Sequence, residues 1–168
     1  MTRLVRAIFA ISLAVVPLHE ASAFCMYDGK MYAKTTIRQE FRDSRWVLRV
    51  RVLSERNNGS RPAVDQGLEA LWSIYRLNVT HRYKGKGPST MTFFTERNSG
   101  AFYFDRPWKG PDIGTEYLVF LNPNEHYAGE PREARGTVFV NYSCGQSKPW
   151  REVSAGERRL LERLSARR

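Results

Sequence analysis

Val138-Phe139-Val140-Asn141-Tyr142-Ser143-Cys144-Gly145, running on to Lys148-Pro149-Trp150, is the stretch that decides the fold. Val138, Val140 and Tyr142 alternate with Phe139, Asn141 and Ser143, which is the two-residue period of a strand over 137–144. The strand leads to Cys144, and Gly145 then frees the backbone to turn. The chain has two cysteines, and the other is Cys25. Two cysteines allow one intrachain pairing. A Cys25–Cys144 disulfide would tie the last strand to the start of the mature chain and close the body between them. The chain-entropy relation gives a bridge over so long a loop about 4 to 5 kcal/mol.

The segment before Cys25 has the marks of a secretory signal over 1–23. Arg3 and Arg6 form a positive start, Ala7 to Val16 is apolar, Pro17 breaks it, and Ala21-Ser22-Ala23 is a small-x-small cleavage site. The apolar run falls well short of the roughly 20 residues a membrane span needs. The mature chain is therefore expected to begin at Phe24, to be secreted or periplasmic, and to tolerate a disulfide.

The formal charge is +10, and loss of Arg3, Arg6 and Glu20 lowers it by one. A basic surface favours anionic partners, or it is a solvated arginine-rich exterior. Catalytic chemistry has little support. His81 lies in an apolar strand and His126 in a polar loop. No His-x-x-x-His or Cys-x-x-Cys spacing occurs, and a disulfide would consume both thiols. The expectation is a binding protein, not an enzyme, with no metal and no cofactor.

Working outward, Trp46 to Leu53 alternates, with Trp46, Leu48, Val50 and Val52 on one face. Arg49 and Arg51 lie on the other with Val47 and Leu53. Residues 54–67 are polar. Ala70 to Lys84 is long for a strand, and its apolar residues change faces near the middle, as in a strand bent across a barrel at a bulge. Tyr75, Leu77, Val79, His81 and Tyr83 share one face by simple alternation. Thr90 to Thr95 is a strand. Residues 96–114 form a loop whose Phe102, Tyr103, Phe104 and Trp108 read as a packed lid, in preference to a binding surface, because aromatic rings usually bury. Tyr117 to Leu121 is a short apolar strand. Ser154-Ala155-Gly156-Glu157 is a capping box, so a helix over about 155–166 should dock on the sheet through Leu160, Leu161 and Leu164. Five strands of uneven length and one flanking helix predict an all-β domain over 24–168. Its architecture is a five-stranded Greek-key barrel of the oligonucleotide/oligosaccharide-binding (OB) type plus a C-terminal α-helix. An immunoglobulin-like sandwich competes on pattern alone.

The order of motifs resembles the netrin-module superfamily, in particular the N-terminal domain of the tissue inhibitors of metalloproteinases. The matching pieces are Phe24-Cys25, Trp46-Val47, Tyr75-x-Leu77-x-Val79 leading to Tyr83-Lys84-Gly85, and Gly114 to Phe120 (GTEYLVF). Tyr142-Ser143-Cys144, Pro149-Trp150 and Arg158-Arg159 complete the set. The resemblance spans about residues 24–165 and implies an exported OB barrel. It also implies a partner-binding wedge formed by Phe24, Cys25, Cys144 and Gly145, with another exported protein, such as a protease, as partner. Family inhibitors chelate the protease zinc with the free amine of a leading Cys-x-Cys. Here Phe24 precedes a lone Cys25, so weak or no inhibition of zinc proteases is expected. The alternative is a basic OB barrel that binds an anionic polymer, polysaccharide or nucleic acid, through Arg49 and Arg51.

Overall fold

The structure is a computed structural model that describes residues 25–57, 72–97, 100–106, 110–127 and 130–167. Residues 1–23, read above as a secretory signal, Phe24, Trp108 and residues 58–71 of the polar loop lie outside the described residues. In chain order the elements are β1 (Met26–Tyr27), β2 (Lys30–Met31), α1 (Ile37–Asp43), β3 (Trp46–Asn57), β4 (Trp72–Lys84) and β5 (Thr90–Glu96). They continue with β6 (Asp105–Arg106), β7 (Gly110–Pro111), β8 (Glu116–Pro123), β9 (Val138–Val140), β10 (Lys148–Pro149) and α2 (Ala155–Ser165).

Five of these strands close a barrel in the order β3-β4-β5-β9-β8 and back to β3. All joints are antiparallel except β5–β9, which is parallel. This is the Greek-key OB arrangement, in which the last two strands swap places to close the wall.

Two apolar layers follow from the strand pattern. Leu48, Val50, Val52, Tyr75, Leu77, Phe93, Val119 and Leu121 fill the barrel, and Phe104 from the aromatic loop joins them fully buried. Phe104 meets Phe93 edge-on at 4.9 Å and Tyr117 at 5.0 Å, so this part of the loop packs as a lid. Outside the wall, Val47, Tyr83, Leu118 and Phe120 pack against Ile37 and Phe41 of α1 and Leu161 of α2. β8 is apolar on both faces because it is buried on both.

The capping boxes Thr36–Gln39 and Ser154–Glu157 start the two helices. Lys84 Nζ donates to the carbonyls of Phe41 (2.6 Å) and Arg42 (2.8 Å), which caps the far end of α1. Gly85 has φ +80°, and a Cβ there would lie 2.5 Å from both Arg45 O and Trp46 Cδ1, so only glycine fits.

Three expectations need correction. β3 runs on to Asn57, into the segment read as loop, because it continues to pair with β4. Tyr83 does not share a face with Tyr75. The β3–β4 register slips at Thr80, between the two tyrosines, and that one extra residue inverts the alternation of β4 beyond it, so Tyr83 lies in the outer layer. The opening stretch is a strand only over Val138–Val140. Asn141 N–H still reaches Phe120 O at 2.7 Å, but Gly145 N–H folds back on Tyr142 O at 3.1 Å, so 142–145 is a turn.

Candidate functional site

The Cys25–Cys144 disulfide is present, across 119 residues with a Cα–Cα separation of 6.0 Å. It joins the first described residue to the turn that follows β9. Cys25, Cys144 and Gly145 are thus brought together; Phe24, the remaining member of the expected wedge, lies outside the described residues.

A hairpin projects directly from this bridge. Asp28 (φ 52°) and Gly29 (φ 74°) are both left-handed, as a two-residue type I′ turn requires. That turn pairs Met26 with Met31 and Tyr27 with Lys30. Tyr32 N–H donates to Cys25 O at 2.8 Å and closes the loop. Tyr32 itself has φ 51°, a costly conformation for a bulky side chain and one that clusters at working sites.

The hairpin has an anchored face and an open one. Tyr27 is anchored. Its ring lies 5.1 Å from that of Tyr142, and its hydroxyl donates to Asp43. Burial, then the bond to Asp43, pushes the Tyr27 hydroxyl up to about 12. The Arg42 guanidinium, paired with Asp43, holds that carboxyl low. The open face carries the cross-strand pair Met26 (54% exposed) and Met31 (60%), and Tyr32, just past the hairpin, is 52% exposed. Beside it is a cleft of about 390 Å³ lined by Tyr32, Lys34, Thr35, Tyr142, Cys144 and Gln146.

Glu40 holds the cystine turn from beneath. It is fully buried on α1. Its Oε1 accepts from Thr35 Oγ1 at 2.5 Å and from Gln146 N–H at 2.8 Å, while Gln146 Nε2 donates to Thr35 O at 2.8 Å. Burial raises its carboxyl above the usual range. A Cβ on Gly145 would lie 2.2 Å from Glu40 Oε1, so glycine is needed for the turn to close over the carboxylate. Sequence reasoning chose Gly145 for its backbone freedom and missed Glu40. A lone glutamate on a seven-residue helix carries no signal that it faces a turn 106 positions away.

Arg49 and Arg51 lie on the outer face of β3, as alternation predicts, but they are not independent cations. Both pair with Glu116 of β8, Arg51 at 3.5 Å. Glu116 feels burial first, which raises its carboxyl, but the bonds and charges of Arg49, Thr80 and Arg51 outweigh that and hold it low. Arg49 also lies over the Trp150 ring at 4.5 Å, and Arg158 approaches the same ring at 4.6 Å. Arg158 is tied to the carbonyls of Val153 (3.0 Å) and Trp150 (3.2 Å). Arg49 thus ties Trp150 to the barrel wall, while Arg158 holds the segment 150–158 together.

A second polar cluster was not anticipated. Arg97 bridges Glu55 (3.2 Å) and Asp105 (2.7 Å), and Tyr75 O–H donates to Asp105 at 2.6 Å. It secures the lid that carries Phe104.

No helix among the described residues is long and apolar enough to cross a membrane. No protein-family model matches the chain. No curated protein matches it either.

Proposed function

We propose that this protein is an exported binding module that docks a partner protein through its disulfide-anchored N-terminal hairpin. The observation that carries this reading is the covalent and hydrogen-bonded fixation of a hairpin that holds Met26, Met31 and Tyr32 in solvent. Clustered exposed apolar side chains mark interaction surfaces, and methionine adapts its shape to a partner. Fixation by the disulfide, the Tyr27–Asp43 bond and the Glu40 carboxylate lowers the ordering cost of binding. The cystine itself supports an oxidising compartment. The likeness to netrin modules supports the same edge of the barrel as the contact. A blocked amine on Cys25 argues against zinc chelation as the mechanism.

The polyanion reading is the weaker one, because Glu116 neutralises much of the charge that Arg49 and Arg51 would offer. The two readings separate by salt. A partner held by Met26, Met31 and Tyr32 stays bound when salt is raised, whereas a polyanion is released steeply. Affinity capture from the native exported fraction, with wild type and a Met26→Ser/Met31→Ser variant as baits, tests this. A protein retained by wild type at high salt and lost by the variant is the expected result. Equal capture by both baits would refute the reading.

A further inference from the structure

We infer that the pocket between the end of α1 and the turn from β4 to β5 is an anion site. It takes one phosphate or sulfate group, free or carried as an ester, through Arg45, Lys86 and the hydroxyl of Ser44. The pocket is about 360 Å³, roughly twelve waters' share of liquid volume, and Ser44, Arg45, Lys84, Gly85 and Lys86 line it. That holds one tetrahedral group and the first atoms of a carrier. It shares no lining residue with the cleft beside the hairpin, so it stands whether or not the hairpin docks a partner.

Ser44 is the buried part of the site. It is the C-cap of α1 and only 2% exposed, yet its Oγ has no hydrogen-bond partner. A buried hydroxyl without a partner is uncommon in a folded protein, because its lost hydration is not replaced. One χ1 rotation lets this hydroxyl meet a ligand in the pocket that Ser44 lines. Arg45 and Lys86 supply charge that nothing else uses. Arg45 donates its backbone N–H to Asn122 Oδ1 at 2.7 Å, and its guanidinium lies 6.0 Å from the centre of the Trp46 ring. The carbonyl of Lys86 accepts from Trp46 Nε1 at 2.8 Å, and neither side chain makes a hydrogen bond or ion pair among the described residues. Arg49 and Arg51 are the reverse case, since Glu116 engages both.

The groups that would repel an anion are already engaged. No aspartate or glutamate lines the pocket among the described residues. Asp43, next to Ser44, pairs with Arg42. The last carbonyls of α1 are the negative end of its dipole, and the Lys84 ammonium sits on two of them, those of Phe41 and Arg42. Lys84 thus adds positive field while its hydrogen bonds serve the helix. In the turn, the Arg82 guanidinium donates to the carbonyls of Gly85 (3.3 Å), Gly87 (3.2 Å) and Pro88 (2.9 Å), and Trp46 takes that of Lys86. The turn is therefore held in one shape before a ligand arrives. A guanidinium fork, an ammonium and a hydroxyl offer more donors than the two oxygens of a carboxylate can use. A phosphate or sulfate group presents three or four oxygens and matches them.

The test is a nuclear magnetic resonance titration of the disulfide-intact full chain, at constant ionic strength, with inorganic phosphate, inorganic sulfate and acetate. Saturable amide shifts at Ser44, Arg45 and Lys86 are expected with the first two and not with acetate. Lys86→Ala and Arg45→Ala, both exposed and so compatible with folding, should each weaken phosphate binding about 3- to 10-fold. Ser44→Ala should weaken it by a similar factor and leave the unfolding midpoint unchanged or higher, because it removes an unpaired hydroxyl. Arg132→Ala, an exposed arginine outside the pocket, should leave it unchanged. A titration with glycerol phosphate separates the sources: tighter binding than phosphate assigns the site to an ester-borne group, and weaker binding to the free ion. No saturable shift with phosphate or sulfate would overturn the assignment. So would acetate binding as well as phosphate, Ser44→Ala without effect on affinity, or Arg132→Ala weakening binding as much as Lys86→Ala.

Discussion

Two faces of the barrel look alike in function-bearing chemistry and differ in how far that chemistry is already used. The β3–β8 face holds Arg49, Arg51, Arg158 and Trp150, a set that reads as a polyanion site. In the structure its arginines are occupied by Glu116, by the Trp150 ring and by backbone carbonyls. The hairpin face holds Met26, Met31 and Tyr32, which touch little, on a frame that is bonded at every joint. A charged side chain with its partners present is part of the scaffold. An apolar side chain fixed in solvent is the one left for something else.

Breaking the frame should have the largest effect. Cys144→Ser should cost about 2 to 5 kcal/mol in denaturant unfolding, as loss of native bridges in exported domains does. A cost near zero would mean the hairpin is held by its hydrogen bonds alone. Gly145→Ala comes next. Its Cβ meets Glu40, so overpacking of about 1 to 3 kcal/mol is expected. A double variant with Glu40→Ala should cost less than the two singles combined, because the clash is gone.

On the other face, Glu116→Gln should cost about 1 kcal/mol by thermal unfolding and should unmask Arg49 and Arg51. Tighter heparin retention of this variant than of wild type would show that Glu116 is what suppresses polyanion binding. The same residue has a pH signature. The folded-state carboxyls of Glu116, Asp43 and Glu157 are held low. Their contribution is therefore present above the unfolded carboxylate value near about 4 and is lost as pH falls through the folded values. Glu40, raised by burial, works oppositely: its charge opposes folding as pH rises past its unfolded value. Acid unfolding of Glu116→Gln should be shallower than that of wild type. The smallest effect on stability belongs to the open face, where Met31→Ser should shift unfolding by no more than about 0.5 kcal/mol.

What the sequence made legible follows from range. β8 and α2 are local patterns, an apolar run and a capping box, and both appear where expected. The disulfide was legible because only one pairing existed. The layer of Tyr83 was not, since register slips opposite β3 reverse an alternation that looks continuous. Nor was the neutralisation of Arg49, whose partner Glu116 is 67 residues away and becomes a neighbour only through β3–β8 pairing. Glu40 meets a turn from a distant part of the chain, and no spacing rule reports that.

Site-specific photo-cross-linking in the protein's native compartment tests the central claim most directly, with one probe at Met31 and another at Arg51. The account predicts a discrete protein adduct from position 31 that persists at about 0.5 M salt, where surface charge is screened within a few ångströms, and little or none from position 51. Adducts that form mainly from position 51 and vanish at that salt would contradict it.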